Sequence, residues 1–235
     1  MGGKVDNDIC SEAFRIMDSF NSNRQISRVE NIEEEGLAVY KHLGYDCYQK
    51  SNDYVCVRAD LAGLKGDKFK SKRAGVNYFL KHYEHVECLP FSLKHKAACL
   101  ELFGIWQGQR LIGTPDKFYQ GMIDDSRKCL LFLLEHYKQL DVTGMLVRVH
   151  GQIKGLSFGF ALNKDTFCII YEITDLSIKG LAQFIFREFC AQLKDFRYIN
   201  IMDDSGLDNL KKVKLSYHPV KLIPAYIARR IEKVP

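Results

Sequence analysis

Polar side chains that can bind a ligand follow a short apolar strand pattern near the end of the chain. The pattern at 198–202 contains Asn200, and Asp203 comes directly after it. Ligands often bind where strands end, and Asn200 can both donate and accept hydrogen bonds while Asp203 can orient an amine. Both are therefore candidate site residues. Capping of a following helix is the alternative role, and we favour it for Asp204 over Asp203.

A basic segment at 68–73 is a second candidate site. Lys72 and Arg73 lie within a predicted helix that spans 68–83. Cations on a helix can hold a phosphate of coenzyme A, of tRNA or of a lipid headgroup, which makes both residues candidate donor-binding groups. A solvated basic helix face would give the same pattern.

Composition adds a weak preference for an anionic partner. The chain of 235 residues has 34 Lys and Arg against 29 Asp and Glu. Its eight cysteines include no C-x-x-C pair, and the first residues do not resemble a secretory signal. No apolar run reaches the roughly 18 residues that a membrane helix needs. We therefore expect a cytoplasmic protein.

Several common site chemistries lack their motifs. His82 and His85 are not part of an H-E-x-x-H pattern, so we expect no metal. The chain also has neither a G-x-S-x-G elbow nor a G-x-x-x-x-G-K-[ST] loop. These absences disfavour a zinc protease, a serine hydrolase and a P-loop nucleotidase.

Periodicity predicts a mixture of helices and strands. Helices are predicted at 8–20, 31–42, 68–83, 94–106, 116–136, 181–193 and 207–213. Strands are predicted at 46–50, 54–58, 86–89, 145–150, 156–162, 167–173, 198–202 and 214–219. A turn is predicted at 51–53, a loop or short turn at 61–66, and a helix or turn at 220–231. The strands from 145 to 173 read as an antiparallel meander. We therefore predict an α+β (mixed α/β) fold rather than a doubly wound parallel sheet.

Three strands, a glycine-bearing loop, a helix and a strand follow one another in an order that resembles the GNAT (acyl-CoA N-acyltransferase) fold. The loop at 177–182 is similar to the GNAT pattern Q/R-x-x-G-x-G/A, because Gly180 and Ala182 match while Ser177 replaces the leading residue. The resemblance implies that Lys179, Gly180 and Ala182 bind the donor through its pyrophosphate. A glycine that merely begins a helix is the alternative.

A second resemblance to GNAT proteins lies upstream. Residues 35–45, which end in Leu-Gly-Tyr, look like the end of a GNAT domain. This implies a partial GNAT-like unit with a basic linking helix at 1–84 and a fuller GNAT-like domain at 85–235. Tandem units of this kind occur in peptidyl and lipid aminoacyltransferases.

The most specific resemblance is to DUF2156, the phosphatidylglycerol lysyltransferase C-terminal-like family. Residues 60–73, with Phe79 and Tyr83, are similar to its signature, and further matching blocks lie at 172, 198–200, 203–207 and 211–219. Ala74 departs from the family's usual Asn. No flippase segment is present, so the resemblance implies a soluble, stand-alone member.

Acyl transfer gives the candidate residues roles that the resemblance implies. Glu172 would be the general base, with a structural ion pair as the alternative. Tyr217 would be the general acid for the leaving group, with a buried core tyrosine as the alternative. Lys214 would bind a phosphate or support the oxyanion.

The resemblance implies an acyl- or aminoacyltransferase. Its donor would be acyl-CoA or aminoacyl-tRNA, with no tightly bound cofactor, and its acceptor a small molecule, a peptide or a lipid headgroup. One alternative is a non-catalytic GNAT-like module that binds a phosphate-bearing ligand or RNA. Another is a peripheral lipid-headgroup aminoacyltransferase, for which the basic and apolar residues at 221–233 would contact the membrane. Packing of that segment against the domain is the competing explanation.

Overall fold

The computed structural model describes residues 6–21, 26–113 and 116–231. The chain divides into two compact units. The first comprises Met1–Tyr54, Asp203–Lys212 and Lys221–Pro235, and the second comprises Val55–Met202 and Val213–Val220. The predicted division at residues 84 and 85 concerns GNAT-like units rather than compact ones, and it stays a prediction.

The described residues form eight α-helices and eight strands. The helices are α1 (Asn7–Phe20), α2 (Leu37–His42), α3 (Arg58–Gly63), α4 (Lys70–His82), α5 (Lys96–Leu111), α6 (Lys117–His136), α7 (Leu181–Gln192) and α8 (Asp208–Leu215). The strands are β1 (Arg28–Ile32), β2 (Tyr45–Val57), β3 (Val86–Pro90), β4 (Thr143–Val149), β5 (Gln152–Ala161), β6 (Thr166–Thr174), β7 (Tyr198–Asn200) and β8 (Lys221–Arg230). Short 3-10 turns lie at Glu34–Gly36, Asp67–Phe69 and Leu93–His95.

The first unit contains β1, β8 and most of β2, in that order. β1 and β8 are antiparallel, with Arg28 opposite Arg229. Helix α1 is capped by Asp6, whose carboxylate accepts the Ile9 N–H, and Phe14 of α1 stacks on Tyr45 with ring centroids 5.0 Å apart. The predicted first helix is thus confirmed.

The second unit contains the end of β2 followed in order by β7, β6, β5, β4 and β3. β3 to β6 are antiparallel neighbours, which confirms the predicted meander. After α7 the chain returns as β7, which is parallel to β6. A meander, a helix and a parallel strand form the order that the GNAT resemblance predicted, so the α+β, GNAT-like fold is confirmed.

Helices pack on both faces of the second unit's sheet. Leu146 of β4 and Phe158 of β5 belong to a buried cluster with α5 and α6. The next residue after Leu146 is Val147, and successive residues of a strand point to opposite faces. The other face meets α7, because a Cβ on Gly155 would lie 3.1 Å from Ile185 and 3.5 Å from Val147. Both surfaces of β4 and β5 are therefore buried.

Strands β6 and β7 share only a short paired segment, and this positions the candidate site. Their register runs from Thr166 opposite Tyr198 to Cys168 opposite Asn200. β7 ends at Asn200, whereas β6 continues to Thr174. Glu172 therefore lies on the part of β6 beyond its pairing with β7.

A predicted turn and a predicted loop are wrong. The predicted turn at 51–53 lies inside the single strand β2, because strand pairing, such as Val55 with Asn200, overrides local turn propensity. The predicted loop at 61–66 begins with helix α3, which ends where Leu64 adopts a left-handed backbone and donates its N–H to Asp60.

Three further assignments are corrected. The predicted helix at 31–42 begins only at Leu37, because Asn31 lies in β1. The predicted strand at 214–219 is the end of α8 and a turn. The predicted helix or turn at 220–231 is the strand β8, whose pairing with β1 extends to Tyr226, two residues after Pro224. None of the described helices has both the length and the apolar character needed to cross a membrane.

Candidate functional site

Glu172 combines solvent exposure with a strongly perturbed carboxyl. Its side chain is exposed, yet desolvation by the surrounding protein raises its pKa to about 8, although the charges of Lys72 and Lys214 act to lower it. The carboxyl lies on the part of β6 that extends past β7, where solvent reaches it while the surrounding protein removes part of its hydration.

The charge of Lys72, a residue of helix α4, acts on this carboxyl. Phe69, Lys72, Val76 and Phe79 follow the spacing of one helix face, and that face is buried. Lys72 is consequently only 9% exposed, and burial lowers its pKa while the charge of Glu172 opposes that shift. The helix period thus places a cation in the interior beside an acid.

Tyr217 lies against Lys72. The Lys72 Nζ is 3.9 Å from the centroid of the Tyr217 ring, and the Phe186 ring is 4.4 Å from it, centroid to centroid. Tyr217 is 7% exposed. Burial, followed by the negative charge of Glu172, raises the pKa of its phenol well above the ordinary value, so the hydroxyl stays protonated.

Lys214 completes the group from helix α8. Its Nζ donates a hydrogen bond to the backbone carbonyl of Ile201, the residue after β7. Its charge also acts on Glu172. The structure therefore brings together four residues that the sequence singled out: Glu172, Lys72, Tyr217 and Lys214. Their chemical roles stay predictions.

Asn200 and Asp203 shape the chain after β7. Asn200 is 3% exposed, and its Oδ1 accepts the N–H of Met202 at 2.7 Å. Asp203 belongs to the first compact unit, where its Oδ1 accepts the Ser205 N–H at 3.2 Å. The contacts of both residues are those of turns, and their assignment to catalysis stays a prediction.

Asp204, for which helix capping was favoured, forms a turn and a tertiary contact. Its Oδ1 accepts the Gly206 N–H at 3.0 Å, and its Oδ2 accepts the hydroxyl of Tyr54. The hydrogen bond from Tyr54 to Asp204 raises the pKa of that tyrosine to about 12. Asp204 therefore ties the turn to β2.

The predicted phosphate loop is held by a carboxylate of the chain itself. Asp175 Oδ1 accepts the N–H of Ser177 at 3.1 Å and the side-chain amide of Gln109 at 2.9 Å. Asp175 Oδ2 pairs with Lys154 at 3.1 Å. The Leu176 N–H donates in turn to Gln109 Oε1 at 2.9 Å. The backbone N–H groups of Leu176 and Ser177, at the start of the loop, are thus already hydrogen-bonded to side chains of the protein.

Gly180 begins helix α7 in close contact with α4. Its φ is 86°, and a Cβ there would lie 2.2 Å from the carbonyl oxygen of Gly75. Lys179 places its Nζ 4.5 Å from the centroid of the Tyr78 ring, and Ala182 is half-buried. This packing gives Gly180 a structural reason to be glycine, and donor binding by these three residues stays a prediction.

Two further cations of the basic segment, Arg73 and Lys68, are engaged locally. Arg73 donates to the carbonyl oxygens of Leu64 and Gly66, which end the preceding turn of chain. Lys68 forms an ion pair with Asp60 at 3.1 Å. Lys72 and Arg73, predicted as neighbours in one phosphate site, therefore make different contacts.

Sequence reasoning missed that Cys56 and Cys190 lie near the site residues, since the charge of Glu172 acts on Cys190 and that of Lys214 on Cys56. Both thiols are buried. Burial raises the pKa of Cys56 to about 12 and that of Cys190 well above its usual value, and the charge of Glu172 adds to the latter shift. Both thiols remain protonated at neutral pH. Their apolar sequence context carries no signal for this location.

Two cavities lie on the compact units, and Glu172 lines neither of them. One is lined by residues of α5, β4 and β5, and the other by residues of α1 and β8. Within 6–21, 26–113 and 116–231, no cluster of His, Cys, Asp or Glu is arranged to hold a metal ion.

Comparison with known proteins gives a family match over most of the chain. The sequence profile described as "Phosphatidylglycerol lysyltransferase, C-terminal" matches residues 14–229. No curated protein matches the chain. Among solved structures, a conserved protein of unknown function from Bacteroides thetaiotaomicron is 27% identical, with a TM-score of 0.78 over 96% of this chain and 76% of that one.

Two further solved structures share the fold at lower identity. L-PGS from Bacillus licheniformis is 16% identical, with a TM-score of 0.66 over 97% of this chain and 74% of that one. The C-terminal DUF2156 domain of a protein from Agrobacterium fabrum is 12% identical, with a TM-score of 0.65 over 94% and 72%. At these identities the similarity shows the fold alone.

Proposed function

Because the chain belongs to the family of phosphatidylglycerol lysyltransferase C-terminal domains, we propose that it is an aminoacyltransferase. It moves an aminoacyl group from an ester donor, aminoacyl-tRNA, to a hydroxyl or amine of a second substrate. The family's name describes lysyl transfer of this type. An acyl-CoA donor is the alternative that the experiment below separates.

The observation that carries the proposal is the carboxyl of Glu172. It is exposed to solvent, its pKa is raised to about 8, and the cations Lys72 and Lys214 act on it. A general base works best when its pKa lies near the working pH, because it is then both available and basic. A carboxylate in an ordinary surface ion pair has its pKa lowered instead.

The proposed reaction uses these groups in sequence. The acceptor oxygen or nitrogen attacks the ester carbonyl while its proton moves to the Glu172 carboxylate. The positive charges of Lys72 and Lys214 favour the negative charge that develops on the substrate. The bond to the ribose oxygen then breaks, and that oxygen takes the proton of the Tyr217 hydroxyl. The proton held by the Glu172 carboxyl then passes to the Tyr217 phenolate, so both side chains return to their starting protonation states.

Two contacts support an ester donor over acyl-CoA. Pyrophosphate binding at a helix start requires open backbone N–H groups. Here the Ser177 N–H is bonded to Asp175, and the start of α7 is packed so closely that Gly180 abuts Gly75. A donor that does not depend on this loop is consistent with both contacts.

Labelled donors test the proposal. Purified protein is incubated with tRNA charged with radiolabelled amino acids, or with labelled acyl-CoA, in the presence of lipid vesicles and of a small-molecule extract. Label that moves from tRNA into an acceptor supports the proposal. Label that moves into an acceptor only from acyl-CoA would show that acyl-CoA, and not aminoacyl-tRNA, is the donor. Binding of tRNA without any transfer favours a non-catalytic module.

A further inference from the structure

The cavity lined by α5, β4 and β5 lies in the second compact unit, between α5 and the hairpin of β4 and β5. Its volume is about 340 Å³, at the lower end of the roughly 300–1,000 Å³ range of small-molecule sites. Ala98, Glu101, Leu102 and Ile105 line one wall, and their spacing is that of a single face of α5. Arg148, Ile153 and Lys154 are on the opposite, hairpin side. None of these residues belongs to the Glu172 site.

Cationic donors come from the hairpin side. Arg148 forms an ion pair with Glu87 at 2.9 Å, and Lys154 forms one with Asp175 at 3.1 Å. A guanidinium has five N–H donors and an ammonium has three, so each side chain can also bond a ligand carboxylate. His95 also lines the cavity, and burial, then the charges of Lys94 and Arg148, lower its pKa.

An acid and apolar groups occupy the helix side. Glu101 is exposed and forms no ion pair with any residue in the described parts of the chain. A carboxylate at this position repels a simple anion and attracts an ammonium group. Ile105 and Ile153 add apolar surface beside these charges. The lining thus combines an anion-binding side, a cation-binding side and an apolar wall.

We propose that this cavity binds a free α-amino acid with an apolar side chain. The ligand's carboxylate bonds Arg148 and Lys154, its ammonium group pairs with Glu101, and its side chain packs on Ile105 and Ile153. A small zwitterion is the ligand whose charges match this lining. The proposal concerns a site separate from the one that performs the proposed transfer.

Ligand binding at this site is connected to the loop before α7. Lys154 also holds Asp175, which accepts hydrogen bonds from Gln109 and Ser177. A ligand carboxylate that bonds Lys154 competes with Asp175 for this ammonium group. Because the Gln109 side-chain amide bonds the same Asp175, its environment changes when the ligand binds. The side-chain amide resonance of Gln109 therefore reports occupancy of the cavity.

Calorimetry and NMR with leucine test the proposal, because matched analogues remove one charge at a time. N-acetylleucine lacks the ammonium group, and leucinamide lacks the carboxylate. We expect leucine to bind about tenfold more tightly than either analogue, as the loss of one charged hydrogen bond implies. Leucine is also expected to shift the Gln109 side-chain amide.

Two single substitutions test whether leucine binds in this cavity. Glu101→Gln is expected to weaken leucine binding about tenfold while it leaves N-acetylleucine binding unchanged. Glu172→Gln is expected to leave leucine binding unchanged, because Glu172 lies in the other site. The proposal is overturned if leucine does not bind at about 10 mM, if the three ligands bind equally, or if Glu172→Gln abolishes binding while Glu101→Gln does not.

Discussion

The Lys72 ammonium lies 3.9 Å from the centroid of the Tyr217 ring, and both residues are within the electrostatic reach of Glu172. The aromatic face stabilises the buried cation. Lys72 comes from α4, whereas Tyr217 follows α8. The contact therefore joins two distant parts of the sequence beside one carboxyl, and the predictions below examine what that carboxyl does.

Glu172→Gln is expected to reduce aminoacyl transfer at least about 100-fold, because removal of a general base typically costs that much. The amide keeps the shape of the side chain and cannot accept the proton. Transfer is measured from labelled aminoacyl-tRNA. Glu188→Gln is the matched control, because Glu188 is a half-buried glutamate paired with Arg187 outside the site. Full activity of Glu172→Gln would remove Glu172 from the mechanism.

The stability of the same variant separates a catalytic carboxyl from a structural one. A carboxyl whose pKa is raised by folding makes the protein less stable as pH rises from the ordinary value towards about 8. Glu172→Gln should therefore match the wild type near pH 4 and have a higher Tm near pH 9. A structural ion pair predicts a lower Tm for the variant at high pH. Thermal unfolding across this pH range measures the difference.

Lys72→Met is expected to move the pH dependence of transfer to higher pH. Lys72 lowers the pKa of Glu172, so its removal raises that pKa further and leaves less carboxylate at pH 7. We expect transfer at pH 7 to fall about fivefold or more. Lys70→Met removes an exposed lysine from the same helix and should change nothing. An unshifted pH profile in Lys72→Met would show that the two charges do not interact.

Asp175→Asn is expected to destabilise the fold by about 2–4 kcal/mol at pH 7, because it breaks a buried ion pair. Burial alone would raise the pKa of Asp175, but hydrogen bonds from Ser177, Gln109 and Lys154 outweigh it and lower the pKa to about 2. The stabilisation is present above the ordinary pKa and is lost as pH falls towards about 2. Denaturant unfolding should show the two proteins converge in acid.

A control for Asp175→Asn is Asp125→Asn, which removes an exposed partner of Lys128. Surface pairs contribute about 0–1 kcal/mol, so this variant should unfold almost as the wild type does. Equal effects of the two substitutions would contradict the role assigned to Asp175.

Gly180→Ala is expected to destabilise the protein more than Gly206→Ala. Both glycines have a positive φ, of 86° and 71°, so each alanine costs about 1–2 kcal/mol of backbone strain. Only at Gly180 does a Cβ meet the Gly75 carbonyl, at 2.2 Å, whereas nothing lies within 4 Å at Gly206. Chemical denaturation of both variants measures the difference. Equal losses would show that α4 and α7 can separate at no cost.

Sequence reasoning identified the meander well because strands β4 to β6 are short apolar runs, buried over consecutive residues, that are joined by short turns. It failed where pairing with distant residues decides the structure. Nothing local shows that residues 51–53 continue a strand, or that a strand runs through Pro224. Contacts of this kind depend on residues far along the chain.

Individual site residues were easier to name than to arrange. The family signature contained Lys72, Glu172, Lys214 and Tyr217, and helix periodicity explains why Lys72 points inward with Val76 and Phe79. It could not show that Arg73 bonds the carbonyls of Leu64 and Gly66, because those contacts follow from the left-handed backbone at Leu64. Sequence reasoning favoured helix capping for Asp204 over Asp203, and only the fold pairs Asp204 with Tyr54.

The pH dependence of kcat/KM for transfer from aminoacyl-tRNA tests most directly the claim that Glu172 is a general base with a raised pKa. The rate should rise with pH through an inflection near 8, because the base must lose its proton before it can accept one. Glu172→Gln should lack this inflection in its residual rate. A wild-type profile that is flat from pH 6 to 9, or an inflection that persists in the variant, would contradict the account.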